Sequence, residues 1–225
     1  MVAEHPLDNP VRSALLGPHA GLARRDGAVL RYPAEVSRFL ALRELTQAAW
    51  HDLASVLGPD EQALFAGVPE PLPSGWVSTF TLPGVQLVAA EPIGAVDPEA
   101  VVLGPADVPE MLDLVERTKP GPFHPRTIEL GTYLGIRIEG TLAAMAGERM
   151  HPPGYTEISA VCTDPAFRGQ GLATRLVRAV AHGIEARGET PSLHAAGTNV
   201  NAIRLYEQLG FRLRRELVFG TVAPV

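Results

Sequence analysis

Apolar positions in the second half of the chain recur with two clear periods. Val108, Met111, Leu112 and Val115 repeat at helical spacing. Asp107-Val108-Pro109-Glu110 ahead of them reads as an N-cap with its partner carboxylate three residues on. Lys119-Pro120-Gly121-Pro122 ends that helix. Strands are predicted at about 132–139 and 141–149 with Glu139-Gly140 as the turn, and a further strand runs from Thr156 to Thr163 into Asp164-Pro165. Leu172, Leu176, Val177, Val180 and Ile184 line one face of a helix predicted over about Gly171 to Arg187. Ser192–Ala196 reads as a short strand, and Ala202, Ile203, Leu205, Tyr206 and Leu209 as a helix closed by Gly210 at its C′ position. Residues 211–222 make a last strand. The resulting order, β-α-β-β-β-α-β-α-β over residues 100–225, is that of an α/β or α+β domain.

The first half is less regular. Trp50 to Leu57 predicts a short helix closed by Gly58-Pro59. Trp76–Leu82 and Val85–Ala90 read as two strands joined at Pro83-Gly84, a hairpin signal. Composition shifts near residues 91–105, where Glu91-Pro92-Ile93-Gly94 and Asp97-Pro98-Glu99 precede Val101-Val102-Leu103. That shift sets a boundary near residue 99, dividing the chain into 1–99 and 100–225. Nothing in residues 1–99 brings nucleophile, base and ligand types together at a chemical spacing.

Length and composition narrow the function classes. The 225 residues suit one large domain or two small ones, and 46% hydrophobic with 20% charged residues is a globular composition. No stretch approaches 18 consecutive apolar residues, and the first residues, Met1 to Pro6, lack the basic and apolar regions of a secretory signal, so a cytoplasmic protein away from membranes is expected. Cys162 is the only cysteine, which excludes an internal disulfide and a cysteine-built zinc site. The seven histidines show no metal-ligand spacing, and no metal is expected. Residues 1–99 hold six arginines against twelve carboxylates, while residues 100–225 balance at thirteen of each sign. An acidic half and a neutral half argue against a nucleic-acid partner, which needs a basic face.

The segment that carries chemistry is Val161-Cys162-Thr163-Asp164-Pro165-Ala166-Phe167-Arg168-Gly169-Gln170-Gly171-Leu172-Ala173-Thr174. It passes from a strand through a turn into a helix with little side-chain bulk in its first turn. The first N–H groups of a helix have no internal partner, and the helix dipole puts partial positive charge there. Glycines at 169 and 171 let a ligand approach that backbone, and Arg168 adds a full charge. Together they make an anion site suited to a pyrophosphate. A P-loop would need Gly-Lys-Ser/Thr, and no lysine is present here. A dinucleotide-binding turn would need a third glycine where Thr174 stands and an acid ending the next strand, which Ser192–Ala196 lacks.

Arg168-Gly169-Gln170-Gly171-Leu172-Ala173 resembles the R/Q-x-x-G-x-G/A acetyl-CoA motif of the GNAT superfamily of N-acetyltransferases. Asn199-x-x-Ala202-x-x-Leu205-Tyr206-x-x-Leu209-Gly210-Phe211 is similar to that superfamily's second signature. The resemblance covers residues 100–225. It implies a mixed, mostly antiparallel sheet flanked by helices, the acyl-CoA N-acyltransferase fold. It also implies direct transfer of an acetyl group from acetyl-CoA to an amine acceptor, a small molecule or a peptide, in a ternary complex. By the same resemblance the backbone of Val161, Cys162 and Thr163 would pair with the pantetheine arm, one of their N–H groups polarising the thioester carbonyl. Arg168, Gly169, Gln170, Gly171, Leu172, Ala173 and Thr174 would wrap the pyrophosphate, and Asn199 would hold the pantetheine or the following helix. Tyr206 falls at the general-acid position. Some members carry a degenerate extra half ahead of the catalytic domain, a place residues 1–99 would fill.

Several residues carry a second reading. Strand alternation sets Glu157, Ser159, Val161 and Thr163 on one face unless a bulge intervenes, and a carboxylate there is the natural base for an ammonium acceptor. Cys162 then falls on the opposite face, where a small buried residue is expected rather than a nucleophile. By the same resemblance His124 lies where family members build the acceptor pocket, while Arg212, Arg214 and Arg215 read as a solvated edge. An acidic first half leans toward a cationic acceptor such as a polyamine, an aminoglycoside or an amino-terminal peptide. Exposed strands over 76–90 invite edge-to-edge pairing, so a homodimer is expected to be within reach. The reading from another class is a non-catalytic acyl-CoA-binding sensor or interaction module.

Overall fold

The computed structural model describes residues 4–225; the reading of the first residues as no secretory signal therefore falls partly outside it. A short 3-10 turn leads into α1 (Pro10–Leu16), followed by β1 (Arg24–Asp26), β2 (Val29–Arg31) and β3 (Leu40–Leu42), which form a small antiparallel sheet. Next come α2 (Gln47–Val56), β4 (Ala63–Ala66), β5 (Trp76–Ala89), β6 (Val101–Val102) and α3 (Val108–Thr118). The remainder is β7 (Tyr133–Ile138), β8 (Thr141–Glu148), β9 (Tyr155–Thr163), α4 (Leu172–Ala186), β10 (Thr190–Ala196), α5 (Val200–Gln208) and β11 (Phe211–Pro224). The large sheet has eight strands in the order β4-β11-β5-β10-β9-β8-β7-β6. Every neighbouring pair is antiparallel except β9 and β10. That pair is parallel because α4 carries the chain back across the sheet between them.

Apolar periodicity decides the layers. The stripe Leu172, Leu176, Val177, Val180 and Ile184 turns α4 onto one sheet face, against Leu87, Ile158, Leu193 and Phe211. Burying a Leu, Val or Ile side chain contributes roughly 1.5–3 kcal/mol, so this stripe is the main anchor of that layer. Met111 and Leu114 of α3 cover the other face with Phe123, Tyr133 and Met145. On the same side the small sheet and α1 pack through Tyr32, Phe39 and Leu30 against Leu130, Met150 and Phe219. His19 ties this layer down, its ring nitrogens bonded to the Tyr32 hydroxyl at 2.9 Å and the Leu130 carbonyl at 3.2 Å.

Three expectations change. First, residues 76–89 form one continuous strand, not a hairpin. Pro83 lies just past the last β10 partner, where no inter-strand N–H is needed, and its carbonyl accepts from Gly197. Gly84 admits the Phe219 ring, which would stand 2.6 Å from any Cβ there. These residues mark a close approach rather than a turn.

Second, β5 is central, lying between β11 and β10, with Trp76 to Pro83 and the terminal Ala89 paired to β11 alone. The line at residue 99 thus runs between strands of one sheet. The segment before it docks on α4, with Ile93 and Gly94 N–H donating to Glu185 and Asp97 paired with Arg175.

Third, the Asp107 carboxylate makes no capping bond to α3. It accepts from Gly104 N–H at 2.8 Å and pairs with Arg137 at 2.7 Å, while Glu110 takes Arg137 and the Leu142 N–H. With one oxygen on the Gly104 N–H and the other on the Arg137 guanidinium, the carboxylate is fully engaged away from the α3 terminus. Among the described residues no helix is long and apolar enough to cross a membrane.

Candidate active site

The parallel pair β9 and β10 is joined only from Thr190↔Tyr155 to Leu193↔Ile158. Beyond it the strands separate, because β9 carries a bulge. Met145 pairs with Cys162 and Gly147 with Ser159, so Ala160 and Val161 together oppose Ala146. Ala160 adopts φ 53°, a left-handed conformation that a non-glycine residue rarely holds. A bulge bends its strand and leaves a residue unpaired. Here it opens the sheet, and a cavity of about 600 Å³ occupies the opening.

The bulge also reverses the expected facing. Counting through the extra residue, Cys162 joins Glu157 and Ser159 on the α3 side, while Val161 packs toward α4. Cys162 is buried among Met111, Leu114, Tyr133 and Met145, and burial pushes its thiol up to about 11. It is a core thiol.

At the α4 end, Gly169 (φ 78°) and Gly171 (φ 74°) both sit in the left-handed region, with Gly171 as the N-cap of α4. No Cβ added at either would meet an atom, so the demand for glycine is conformational. The N–H groups from Gly169 to Thr174 make no hydrogen bond among the described residues. Arg168 is exposed beside them, its Nε donating to the Thr163 carbonyl at 3.4 Å. Gln170 is exposed, Leu172 anchors the helix in the core, and Ala173 and Thr174 line the groove. Asn199 caps α5 by accepting from Ala202 N–H at 3.2 Å and also borders the cavity. Tyr206 lines both groove and cavity, and burial pushes its phenol up to about 12, keeping the proton in place.

The opposite wall holds a buried polar chain. Glu157 is 1% exposed and does not line the cavity. Its carboxylate accepts two bonds from Arg149, at 2.6 and 2.9 Å, and one from His194 Nδ1 at 2.7 Å. Burial alone would raise its pKa, but Arg149 and then His194 outweigh that and hold it down at about 2. A carboxylate so held is a poor proton acceptor. Gln86 Oε1 accepts from Arg214 at 2.9 Å, which directs its amide nitrogen to the Leu7 carbonyl and to His194 Nε2, both at 3.0 Å. This chain of bonds assigns a neutral His194 with its proton on Nδ1 and a lone pair on Nε2. Arg149 and His194 both line the cavity.

Of the residues singled out in the sequence, the glycine loop, Tyr206 and Asn199 border the opening and Glu157 lies buried behind its wall; Arg149, His194 and Gln86 are not among them. Their meeting depends on β8, β9, β10 and β5 lying side by side, and no local spacing signals it. Arg214, expected on a solvated edge, belongs to the chain, its other nitrogen bonded to Asp8 at 2.6 Å. His124 does not line the cavity. Among the described residues no group of His, Cys, Asp or Glu is arranged to hold a metal ion.

The opening thus lies at the one parallel pair of a mostly antiparallel sheet, with a glycine-rich loop beside it whose N–H groups are unpaired among the described residues. Residues 133–219 match the family described as FR47-like protein. Over 83 residues the chain is 36% identical to N-alpha-acetyltransferase RimI of Mycobacterium tuberculosis, covering 36% of this chain and 51% of that protein. A Mycobacterium leprae protein is 31% identical over 194 residues, covering 70% of this chain and 51% of its own length. The chain spans about half the length of both of these curated relatives. A crystal structure from Novosphingobium aromaticivorans, of a protein assigned to the GNAT acetyltransferases, superposes with a TM-score of 0.89 at 43% identity, covering 99% of this chain and 100% of that one. This chain belongs to the GNAT acetyltransferase family.

Proposed function

We propose that the chain transfers an acetyl group from acetyl-CoA to an amine within a ternary complex, in the cytoplasm. The observation that carries this reading is that the groove along the glycine loop and the cavity reaching His194 adjoin, sharing Val161, Cys162, Thr163, Arg168, Ala202 and Tyr206 as common wall. Acetyl-CoA supplies a thioester whose carbonyl carbon the deprotonated amine attacks and whose sulfur leaves as thiolate, which takes up the proton that the attacking nitrogen sheds as the amide forms. The N–H groups of residues 169–174 and Arg168 hold the pyrophosphate. The free edge of Val161, Cys162 and Thr163 takes the pantetheine, and one of its N–H groups polarises the carbonyl. Losing one such donor costs roughly 2.7–4 kcal/mol.

Glu157 acts through His194 rather than on the amine. Its carboxylate fixes Nδ1–H, and Nε2 takes the ammonium proton as the Gln86 amide, which donates to that nitrogen in the resting site, gives up its bond. Tyr206 donates a hydrogen bond to the departing sulfur. Complete transfer from a phenol near 12 to a thiolate whose acid has a pKa near ~8.5 runs uphill, so loss of the hydroxyl slows turnover by roughly 10²-fold or less. Residues 1–99 serve as the wall on the acceptor side, through Phe39 and Leu64.

Thermal unfolding with acetyl-CoA, and with NAD and ATP as controls, tests the donor. A ligand at 100 times its dissociation constant adds about 2.7 kcal/mol. Wild type is expected to shift with acetyl-CoA alone, and Gly171→Glu is expected to lose the shift. No shift in wild type refutes the donor assignment. A Tyr206→Phe variant that keeps the shift and loses turnover supports an enzyme. Absence of acetyl transfer to every amine, with the shift intact, favours a CoA-binding module instead.

A further inference from the structure

The half of the cavity on the α3 side is lined by Phe39, Leu64, Phe80, Leu82 and Phe219, with Arg149 and His194 at its floor. The rings are arranged around it: Phe39 and Phe219 are 6.3 Å apart, and His194 meets Phe219 edge-on at 5.6 Å. Phe80 is 54% exposed, a large apolar ring at the rim, so this chamber opens to solvent. No aspartate or glutamate lines any part of the cavity, whose charged side chains are Lys119, Arg149 and Arg168. The floor is electrically neutral, because Glu157 cancels Arg149 behind the wall.

We infer, resting on the transferase reading above, that the acceptor is a monoamine carried on an uncharged apolar body, aromatic or branched. His194 stands in the wall of this chamber, so the reacting nitrogen comes within its reach and the rest of the acceptor occupies the apolar space. A second ammonium on a polyamine or aminoglycoside would lose its water there and find no carboxylate to replace it. An apolar body instead releases water from its own surface and from the exposed Phe80 ring. The acidic surface of residues 1–99 does not set this preference, because net charge describes the far field and the lining describes the contact.

The test measures CoA thiol release by the full chain at fixed acetyl-CoA, with 2-phenylethylamine, 3-methylbutylamine, ethanolamine, spermidine and kanamycin as acceptors. The expected kcat/KM for 2-phenylethylamine and 3-methylbutylamine exceeds that for the other three by at least 100-fold. Leu82→Glu, which puts a carboxylate in the chamber, is expected to narrow the ratio of 2-phenylethylamine to spermidine by at least tenfold. Should that variant not fold, Phe80→Ala at the exposed rim is expected to raise KM for 2-phenylethylamine about tenfold. Equal or better use of spermidine, kanamycin or ethanolamine overturns the inference and leaves the transferase reading standing. So does a preference for octanoyl-CoA over acetyl-CoA with ethanolamine, which would make the chamber an acyl-chain site. An acetyl-CoA thermal shift without turnover of 2-phenylethylamine also overturns it, whereas loss of that shift as well removes the transferase reading itself.

Discussion

Replacing Arg149 with methionine isolates the energetics of the buried chain beneath the cavity. In the wild type Glu157 is ionised and dry, and Arg149 supplies two of its three side-chain bonds. Its carboxyl is held at about 2, against an ordinary value near 4.5, which corresponds to about 3 kcal/mol of stability. Because the folded value is depressed, that stability is present above about pH 4.5 and is lost as pH falls toward 2. Methionine keeps most of the volume but leaves the carboxylate with His194 alone. Removing one partner of a buried pair costs about 3–5 kcal/mol at neutral pH. For a chain of this size that is a fall in Tm on the order of 10 °C.

The pH dependence separates this cause from simple repacking. With Arg149 gone, burial dominates and Glu157 moves above its ordinary value, so a buried proton becomes the cheaper state. The difference from wild type is then expected to shrink between pH 7.5 and pH 5, as the variant's carboxyl protonates. Urea denaturation at both pH values measures it. Adding Glu157→Gln to the variant is expected to recover most of the loss at pH 7.5. A cost below about 1 kcal/mol at pH 7.5, within reach of an ordinary surface change, would refute the reasoning. A cost that grows on acidification would refute it too.

Three further outcomes are expected. Burial, with His151 adding to it, holds the pKa of His19 down at about 4 while the unfolded chain protonates near 6.5. Stability should therefore fall by about 3 kcal/mol from pH 6.5 to 4, and His19→Gln should flatten that slope in urea melts. Gly84→Ala places a Cβ 2.6 Å from the Phe219 ring and 3.1 Å from the Ala195 carbonyl, so calorimetry should show a loss of about 1–3 kcal/mol. An unchanged Tm would mean that Phe219 yields freely. Cys162, with its thiol near 11, should react with iodoacetamide at pH 7.5 at least ~100-fold more slowly folded than in urea, as read by mass spectrometry. Equal rates would contradict its burial.

What the sequence determined by itself was local. The α4 stripe, the Glu139-Gly140 turn and the glycine loop are each specified by residues within a few positions, and each formed where expected. Glycines 169 and 171 announce themselves because φ near +75° is open to few other residues. The family resemblance rests on the same local signals.

Tertiary structure decided the rest. Pro83-Gly84 has the chemistry of a turn, yet β10 and β11 pair on either side and draw it into a straight strand. Asp107 has the chemistry of a cap, but the Gly104 N–H and Arg137, reaching over from β7, take its carboxylate. Glu157 was legible as a carboxylate on the right strand. Its pairing was not, because the bonds from Arg149 and His194 arise only when separate strands align. The bulge at Ala160, which opens the sheet and reverses the facing of Cys162, has no signature in residues 155–163. Short-range sterics and periodicity are written in neighbouring residues; ionisation, facing and the shape of a cavity depend on which distant strands come to lie together.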